Sequence, residues 1–258
     1  MKSLIVLKIG GNVIDDPSVL KTVLHDFAAL QSDKILIHGG GKIASKLMTG
    51  LGIVPKMFEG RRITDRETLD VVTMVYAGLI NKNIVAALQS LSCNAIGLTG
   101  ADANVIPAKI RPVKEVDYGF VGDLNSECIS ANTINNLIEM GLVPVIAPIT
   151  HNGEGILLNT NADTIASSVA VALAKTFHVQ LVFCFEKNGV LRDMNDDGSV
   201  IDFLDEASYQ QYKDEGVITA GMIPKLDSAF AALHRNVAEV RICSPDGIHR
   251  GGTKIRIK

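Results

Sequence analysis

Short runs of β-branched and aliphatic residues alternate along the chain with longer segments in which apolar residues recur every three or four positions. This alternation predicts βαβ units on a mostly parallel sheet, and therefore an α/β fold. The strand candidates are Leu4–Leu7, Lys34–Ile37, Asn94–Leu98, Val143–Ile146, Val179–Phe183 and Val240–Cys243. Helices are predicted around residues 66–90, 130–140, 164–176, 205–213 and 224–235. A further helix should begin at Asp16 and Pro17, a capping carboxylate and a first-turn proline.

One segment departs from this alternation. Prolines, a glycine and alternating residues between Val105 and Asp123 predict a β-hairpin. No low-complexity linker or repeat divides the chain. The segment around Phe177 separates a longer front half from a shorter back half. We therefore expect two lobes, residues 1–176 and 177–258, with a cleft between them.

Composition and charge narrow the possible functions. The 258 residues are 47% hydrophobic, enough for a sizeable core. A formal net charge of −3 lacks the basic excess of a protein that binds nucleic acid. The apolar run at the start is too short for a signal peptide, and no later stretch reaches membrane-spanning length without interruption. We expect a cytosolic protein with neither nucleic acid nor membrane as a partner.

The four cysteines are distant from one another in the sequence and form no CxxC pair. This spacing suggests neither a disulfide framework nor a zinc site. Cys93, Cys128, Cys184 and Cys243 are therefore predicted to be small buried hydrophobic residues, and no protein metal site is expected.

Two predicted strands end in glycine turns that lead into helices. Lys8-Ile-Gly-Gly11 follows the first strand and His38-Gly-Gly-Gly41 follows the second. Glycine allows close backbone approach, and the N–H groups at a helix start attract anions. Ligands of open α/β sheets bind at these carboxyl ends. Each turn by itself could be an ordinary tight turn; neither is a Walker A loop nor a dinucleotide fingerprint, which disfavours NAD.

Polar residues recur at alternate positions in Asn159-Thr-Asn-Ala-Asp163 and would face one way in an extended segment. A helical pattern follows directly, so Asp163 can also be explained as the N-cap of that helix. Asn159 and Asn161 follow an apolar stretch, and we expect them to be partly buried with hydrogen-bond partners.

A lysine also occurs near the predicted start of the last long helix, in Gly221-Met-Ile-Pro-Lys225. A cation in the first turn of a helix is unfavourable by roughly 0.3–1 kcal/mol unless an anion offsets it. Lys225 therefore hints at a bound phosphate, although a solvated surface lysine is the alternative.

In combination, these motifs resemble the amino acid kinase family over nearly the whole chain. KxGG, HGGG, GxRxT at Gly60–Thr64, GFVG at Gly119–Gly122, NxNAD and GMxxK occur in that family's order. The resemblance implies a three-layer αβα sandwich with a mainly parallel central sheet, an amino-terminal lobe for an acylated amino acid and dimer contact, and a carboxy-terminal lobe for ATP. NxNAD with GxRxT favours an acylated glutamate over carbamate, aspartate, free glutamate or uridylate.

By the same resemblance, Lys8 and Lys225 bind the transferring phosphoryl group and Asp163 holds both lysines. The substrate contacts would come from Gly40, Gly41, Arg62 and Asn159, the last two at the α-carboxylate. The nucleotide contacts would come from Gly10, Gly11, Glu186, Gly189, Val190 and Thr219. ATP would phosphorylate the γ-carboxylate in a step of arginine biosynthesis, with Mg²⁺ held mainly through its phosphates. That carboxylate is ionised at neutral pH and needs no general base.

The sequence leaves several points open. Glu186–Val190 stands where related kinases carry a DVxGV-like turn, and Asp102–Asn104 replaces a turn richer in glycine. The chain enters its first strand without the additional helix of arginine-inhibited relatives, so we expect a homodimer that arginine does not inhibit. Whether the acyl group is acetyl or a larger one such as succinyl is not determined. A non-catalytic nucleotide or anion sensor of the same fold is the alternative outside enzymes.

Overall fold

A computed structural model of the protein describes residues 1–218 and 221–257. Its strands are β1 (Lys2–Ile9), β2 (Asp33–His38), β3 (Met57–Phe58), β4 (Arg61–Arg62), β5 (Ala95–Leu98), β6 (Ala108–Ile110), β7 (Gly122–Leu124), β8 (Val143–Ile146), β9 (Ile149–His151), β10 (Leu157–Asn159), β11 (Phe177–Cys184), β12 (Phe203–Leu204), β13 (Glu239–Cys243) and β14 (Thr253–Ile255). Its α-helices are α1 (Gly11–Asp15), α2 (Pro17–Ala29), α3 (Gly41–Gly50), α4 (Arg66–Thr73), α5 (Asn81–Ser90), α6 (Ala131–Glu139), α7 (Ala162–Leu173), α8 (Glu206–Asp214) and α9 (Ile223–Leu233).

Eight of these strands form one sheet in the order β12-β14-β13-β11-β1-β2-β8-β5. The neighbours from β13 to β5 are parallel, whereas β14 runs antiparallel to β13. The predicted α/β class is confirmed. Strand β11 pairs with β1 along its whole length, so the sheet continues across the predicted boundary at residue 176. The division into two functional lobes stays a prediction.

Helices cover both faces of the sheet and give three layers. Alternate residues of β1 point to opposite faces, as strand geometry requires. Leu4 and Val6 pack with α6, α7 and α9, whereas Leu7 and Ile9 pack with α2, α3, α4 and α5. The predicted αβα sandwich is therefore confirmed. Lys8 shares the face of Val6, which directs it toward the layer that contains α7 and α9.

The predicted elements are all present, with bounds that differ by a few residues at their ends. Asp16 caps α2, since its carboxylate accepts hydrogen bonds from the backbone N–H groups of Ser18 and Val19. The predicted hairpin is also found, because β6 and β7 pair antiparallel. Pro224 lies in the first turn of α9, which places Lys225 at the start of that helix as expected.

The interpretation of Asp163 as an N-cap is wrong. Asn161 caps α7, because its side-chain oxygen accepts a hydrogen bond from Thr164 N at 3.0 Å, and Asp163 lies in the first helical turn. Strand β10 ends at Asn159, and the backbone of Asn161 is still extended before the helix begins. Asn161 is also exposed, contrary to expectation, since the cap position protrudes from the helix.

The prediction for the cysteines is correct except at Cys128. Cys93, Cys184 and Cys243 are buried, but Cys128 is exposed. Cys128 ends a short turn of 3₁₀ helix (Ser126–Cys128) that precedes α6, where the chain runs over the surface.

One helical segment reaches membrane-spanning length, although no uninterrupted stretch of that length was expected. Arg66–Ser90 spans 25 residues and is apolar enough to cross a bilayer by length and composition alone. It is interrupted by a π-helical turn, Met74–Ile80, between α4 and α5. Val72, Ile84 and Leu88 of this segment are buried against the sheet, as expected for a core helix.

Candidate active site

A cavity of about 220 Å³ lies at the carboxyl ends of β1 and β2, where parallel sheets bind their ligands. It brings together seven of the predicted site residues, which come from four separate segments of the chain. Its lining comprises Lys8, Gly11, Gly39, Gly40, Gly41, Met57, Gly60, Arg61, Arg62, Tyr76, Val121, Pro148, Asn159, Thr160, Asn161, Ala162 and Asp163.

The two glycine turns lie against each other at the floor of this cavity. A Cβ atom added at Gly39 would lie 3.6 Å from the backbone nitrogen of Gly11, and one added at Gly11 would lie 3.9 Å from that of Gly41. Gly40 has a φ of +145° and faces Tyr76. Any side chain at Gly40 would also collide with Ile80, so this position requires glycine.

Lys8 and Asp163 form a buried ion pair next to the glycine turns. Lys8 Nζ lies 2.7 Å from Asp163 Oδ1, and Lys8 is only 6% exposed. Burial of a single cation is costly, and the carboxylate of Asp163 offsets that cost. Helix α7 supplies this carboxylate from its first turn, where the helix dipole also favours a negative charge.

Lys225 reaches the same place from α9. Its Nζ lies 3.6 Å from the centre of the Phe185 ring, and Lys8 Nζ lies 4.4 Å from the centre of that ring. The electron-rich face of an aromatic ring attracts cations, so Phe185 can hold both ammonium groups close together. Phe185 follows β11, and the sequence motifs gave no indication of its role.

Burial and the charges of three neighbouring side chains act on the pKa of Lys225. Burial lowers the pKa of Lys225, and the positive charge of Lys8 lowers it further, whereas Asp163 and Glu186 act in the opposite direction. A bound phosphate would favour the charged form of Lys225. Burial raises the pKa of Glu186, but a hydrogen bond from Asn12 and the charges of Lys225 and Lys42 leave it below its ordinary value.

Arg62 also lines the cavity and is fixed by contacts with α3. Its Nη2 donates hydrogen bonds to Gly41 O at 2.9 Å and Ser45 Oγ at 2.7 Å. Burial raises the pKa of the neighbouring Tyr76 hydroxyl, while the charge of Arg62 and its hydrogen bond act against this. The guanidinium group is therefore held in one orientation beside the second glycine turn.

Asn159 is tied to the same segment through Thr64. Asn159 Nδ2 donates to Thr64 Oγ1 at 3.0 Å, and Thr64 Oγ1 donates to Arg62 O at 3.1 Å. Thr64 is completely buried. The GxRxT and NxNAD motifs, nearly a hundred residues apart, thus form one hydrogen-bonded unit.

The residues predicted for the nucleotide are more dispersed. Gly10 donates its N–H to Cys184 O at 3.1 Å and packs against Phe185, close to the lysines. Gly189 and Val190 lie in the core against Thr253, whose Oγ1 accepts a hydrogen bond from Val190 N. Thr219 lies outside the described residues. The nucleotide contacts stay a prediction.

Other residues at the cavity were missed from the sequence. Tyr76 comes from the π-helical turn, and Met57 and Pro148 come from two further segments, whereas Val121 lies within the GFVG motif. No local motif marks Tyr76, Met57 or Pro148, because only the folded chain brings them to the cavity. Within residues 1–218 and 221–257, no three His, Cys, Asp or Glu side chains are grouped as metal ligands.

A model described as the amino acid kinase family matches residues 3–244. The chain belongs to the amino acid kinase family.

Individual members of the amino acid kinase family match nearly the full length. Acetylglutamate kinase from Bacteroides fragilis is 56% identical, covering 99% of this chain and 97% of the relative. Acetylglutamate kinase from Cytophaga hutchinsonii is 54% identical, with 96% and 94% covered. The crystal structure of smu.665 from Streptococcus mutans UA159 has a TM-score of 0.81 at 30% identity and covers 99% of both chains.

Proposed function

We propose that this chain is an acetylglutamate kinase, which transfers the γ-phosphoryl group of ATP to the γ-carboxylate of N-acetyl-L-glutamate. The observation that carries the proposal is that Lys8 and Asp163 line the same cavity as Arg62 and Asn159, with Lys225 beside Lys8 on the Phe185 ring. A phosphate-binding centre and a carboxylate-binding centre therefore share one cavity. The names of relatives with more than half of their residues identical support the same activity.

The proposed reaction is a direct displacement. A γ-carboxylate oxygen attacks the γ-phosphorus, the bond between that phosphorus and the bridging oxygen breaks, and ADP leaves with the electron pair. Phosphoryl transfer is catalysed mainly by positioning and charge stabilisation. Lys8 and Lys225 supply positive charge where the transferring group would lie. Mg²⁺ enters with ATP as part of the substrate and neutralises charge on its phosphates.

The orientation of the acceptor would depend on Arg62 and Asn159. A guanidinium plane suits the two oxygens of an α-carboxylate, and the contacts with Gly41 and Ser45 fix that plane. We expect Arg62→Lys to raise KM for the acceptor about tenfold while changing kcat less, because a lysine is a point charge without the planar fork. Arg66→Lys, at an exposed arginine, is the matched control and should leave KM unchanged.

We place ATP, by the same proposal, on the carboxy-terminal side, with Gly10, Gly11, Glu186, Gly189, Val190 and Thr219 as its contacts.

Met74 and Leu79 are exposed on the outer face of the Arg66–Ser90 segment, which suits contact with a second copy in a homodimer. Cys184 and Cys243 are neighbours in β11 and β13 and remain free thiols, which fits a reducing compartment such as the cytosol.

The direct test is ADP formation from MgATP and N-acetyl-L-glutamate, with hydroxylamine present to trap the acyl phosphate as a hydroxamate. N-succinyl-L-glutamate, free glutamate and aspartate are assayed in parallel. Hydroxamate from an acylated glutamate, and none from the free amino acids, is the expected result and identifies the acyl group. Absence of product with all four substrates contradicts the proposal. Added arginine should leave the rate unchanged.

A second experiment distinguishes the enzyme from a sensor of the same fold. In an enzyme, Lys8→Ala should abolish hydroxamate formation while ATP binding persists, because Lys8 would stabilise the transition state. A sensor requires binding without stabilisation of a transition state. Lys21→Ala, at an exposed lysine of α2, is the matched control and should behave as the unmodified protein. A protein that binds ATP but forms no hydroxamate before any substitution is a sensor.

A further inference from the structure

His38, the first residue of the HGGG motif, has no part in the mechanism above but lies directly beneath the glycine turn. It ends β2 and is completely buried. Its Nδ1 lies 2.9 Å from Gly39 O, and its Nε2 lies 3.1 Å from the side-chain nitrogen of Asn81. Asn81 is also buried, and the same side-chain nitrogen lies 2.9 Å from Val145 O.

These contacts define where the proton of His38 resides. A carbonyl oxygen only accepts hydrogen bonds, so the Asn81 atom that faces Val145 O must be the amide nitrogen. That nitrogen has two hydrogens: one is donated to Val145 O and the other to His38 Nε2. His38 Nε2 must therefore be unprotonated, and Nδ1–H donates to Gly39 O. Asn81 thus selects a single neutral tautomer of His38.

The hydrogen bond from His38 sets the orientation of the next peptide group. In a trans peptide the C=O and the following N–H point in opposite directions. Because His38 holds Gly39 C=O toward the buried side of the turn, Gly40 N–H is directed away from it, and Gly40 lines the candidate active-site cavity. Among the hydrogen bonds of residues 1–218 and 221–257, none has Gly40 N as its donor.

The π-helical turn packs next to Gly40. The side chains of Ile80 and Tyr76 occupy the space where a Cβ of residue 40 would lie, and Asn81 follows Ile80 directly. π-Helical turns inside α-helices occur frequently at functional sites, because the extra residue shifts the side chains that follow. Here, the residue that follows the turn is the one that fixes His38.

We propose that His38 and Asn81 are positioning residues that aim the Gly40 N–H at the phosphoryl or carboxylate oxygens that carry negative charge during transfer. The inference rests on the proposed kinase activity and adds to it two residues that touch neither substrate. Backbone donors aimed at developing charge act most strongly when they are held in place before the reaction.

The test compares two substitutions at His38. Asn has its amide nitrogen at the position of Nδ1 and can still donate to Gly39 O, whereas Leu has a similar branch point but no donor. We expect His38→Leu to lower kcat on the order of 100-fold with KM for ATP nearly unchanged, the scale found for the loss of one oxyanion donor. His38→Asn should recover at least about tenfold of that loss. Asn81→Leu should also lower kcat and gives a second variant if His38→Leu does not fold.

A stability control separates positioning from general damage. Ile134→Ala removes core contacts on the opposite face of the sheet and should lower Tm without a matching loss of kcat. The inference is overturned if folded His38→Leu and Asn81→Leu keep kcat within about threefold of the unmodified protein. It is equally overturned if kcat of His38→Asn is no higher than kcat of His38→Leu. It is also overturned if Ile134→Ala lowers kcat as much as His38→Leu does when the two variants lose the same amount of Tm.

A readout independent of activity uses imidazole ¹⁵N NMR of the unmodified protein. We expect a signal of His38 with a protonated Nδ1 and an unprotonated Nε2, and the loss of that fixed tautomer in Asn81→Leu. A protonated Nε2 overturns the inference. An unmodified protein that is inert in the hydroxamate assay instead contradicts the proposed function, and the NMR experiment then still decides the geometry of the turn.

Discussion

The burial of His38 makes the stability of the fold depend on pH in a defined window. Burial lowers the pKa of His38 from 6.5 to about 4, and the hydrogen bond to Gly39 only partly opposes this. In the unfolded chain the imidazole has its ordinary pKa. Between these two values the unfolded chain binds a proton that the folded chain does not bind, so acid favours unfolding. The stabilising contribution is complete above the unfolded pKa and is lost as the pH falls toward the folded pKa.

The magnitude follows from the difference between the two pKa values. A separation of about 2.5 units corresponds to about 3 kcal/mol of unfolding free energy once both forms are protonated, at about 1.4 kcal/mol per unit. At about pH 5, where only the unfolded form is largely protonated, the loss is about 2 kcal/mol relative to neutral pH. This is a substantial fraction of the total stability of a typical domain.

The assay is urea unfolding of the unmodified protein and His38→Asn, at about pH 7.5 and about pH 5. Far-UV circular dichroism is the suitable signal because the chain contains no tryptophan. Protein concentration is kept constant, since dimerisation would shift the midpoint. The other five histidines and all carboxylates are common to both proteins, so the difference between the two pH dependences isolates His38.

On acidification, the free energy of unfolding should fall by about 2 kcal/mol more in the unmodified protein than in His38→Asn, because the amide does not titrate. Parallel losses in the two proteins would refute the reasoning and indicate that His38 is protonated in the folded state or reaches solvent. A larger loss in His38→Asn would have the opposite sign to that required by a lowered pKa.

Three further predictions concern the turn, the core and the lysine centre. Gly40→Ala should lower the free energy of unfolding by about 2–5 kcal/mol in chemical denaturation, since φ is +145° and a Cβ would collide with the neighbouring helix; an unchanged midpoint contradicts this. Arg241→Met should lower the free energy of unfolding by about 3 kcal/mol, because buried Arg241 donates to three backbone carbonyls. Arg235→Met, at an exposed site, should change it little in the same assay. Asp163→Asn should lower kcat about 100-fold and move the alkaline limb of the pH–rate profile to lower pH, since Asp163 raises the pKa of Lys225. An alkaline limb at the same pH would show that Asp163 does not influence the pKa of Lys225.

The layers of the fold were predictable from the sequence because they depend on local pattern. Buried parallel strands are continuous apolar runs, and their helices carry one apolar stripe, so Val143–Ile146 and the segment 66–90 were recognisable without knowledge of the partners they pack against. Asp16 with Pro17 marked a helix start because capping involves only residues close in sequence. The same reasoning was wrong at Asp163, since Asn161, two residues earlier, supplies an equally good capping oxygen.

The chemistry of the candidate site was visible only in part. The glycine turns, Lys8, Arg62 and Asn159 belong to short motifs, and the sequence could suggest that they share a ligand. Their mutual arrangement depends on contacts between distant segments. Thr64 joins Arg62 to Asn159 across nearly a hundred residues, and Phe185 places Lys225 beside Lys8. Neither Thr64 as a link nor Phe185 as a platform has a local signature.

The sequence by itself determined which segments become strands and helices, where the glycine turns must lie, and the kind of ligand they favour. Each of these properties arises from the intrinsic geometry and polarity of neighbouring residues. The tertiary structure alone decided that Asn81 fixes the tautomer of His38, and that His38 in turn orients the Gly39–Gly40 peptide. Burial is a property of the assembled core, and both the lowered pKa of His38 and its hydrogen-bond partners exist only after the helix and the sheet have packed together.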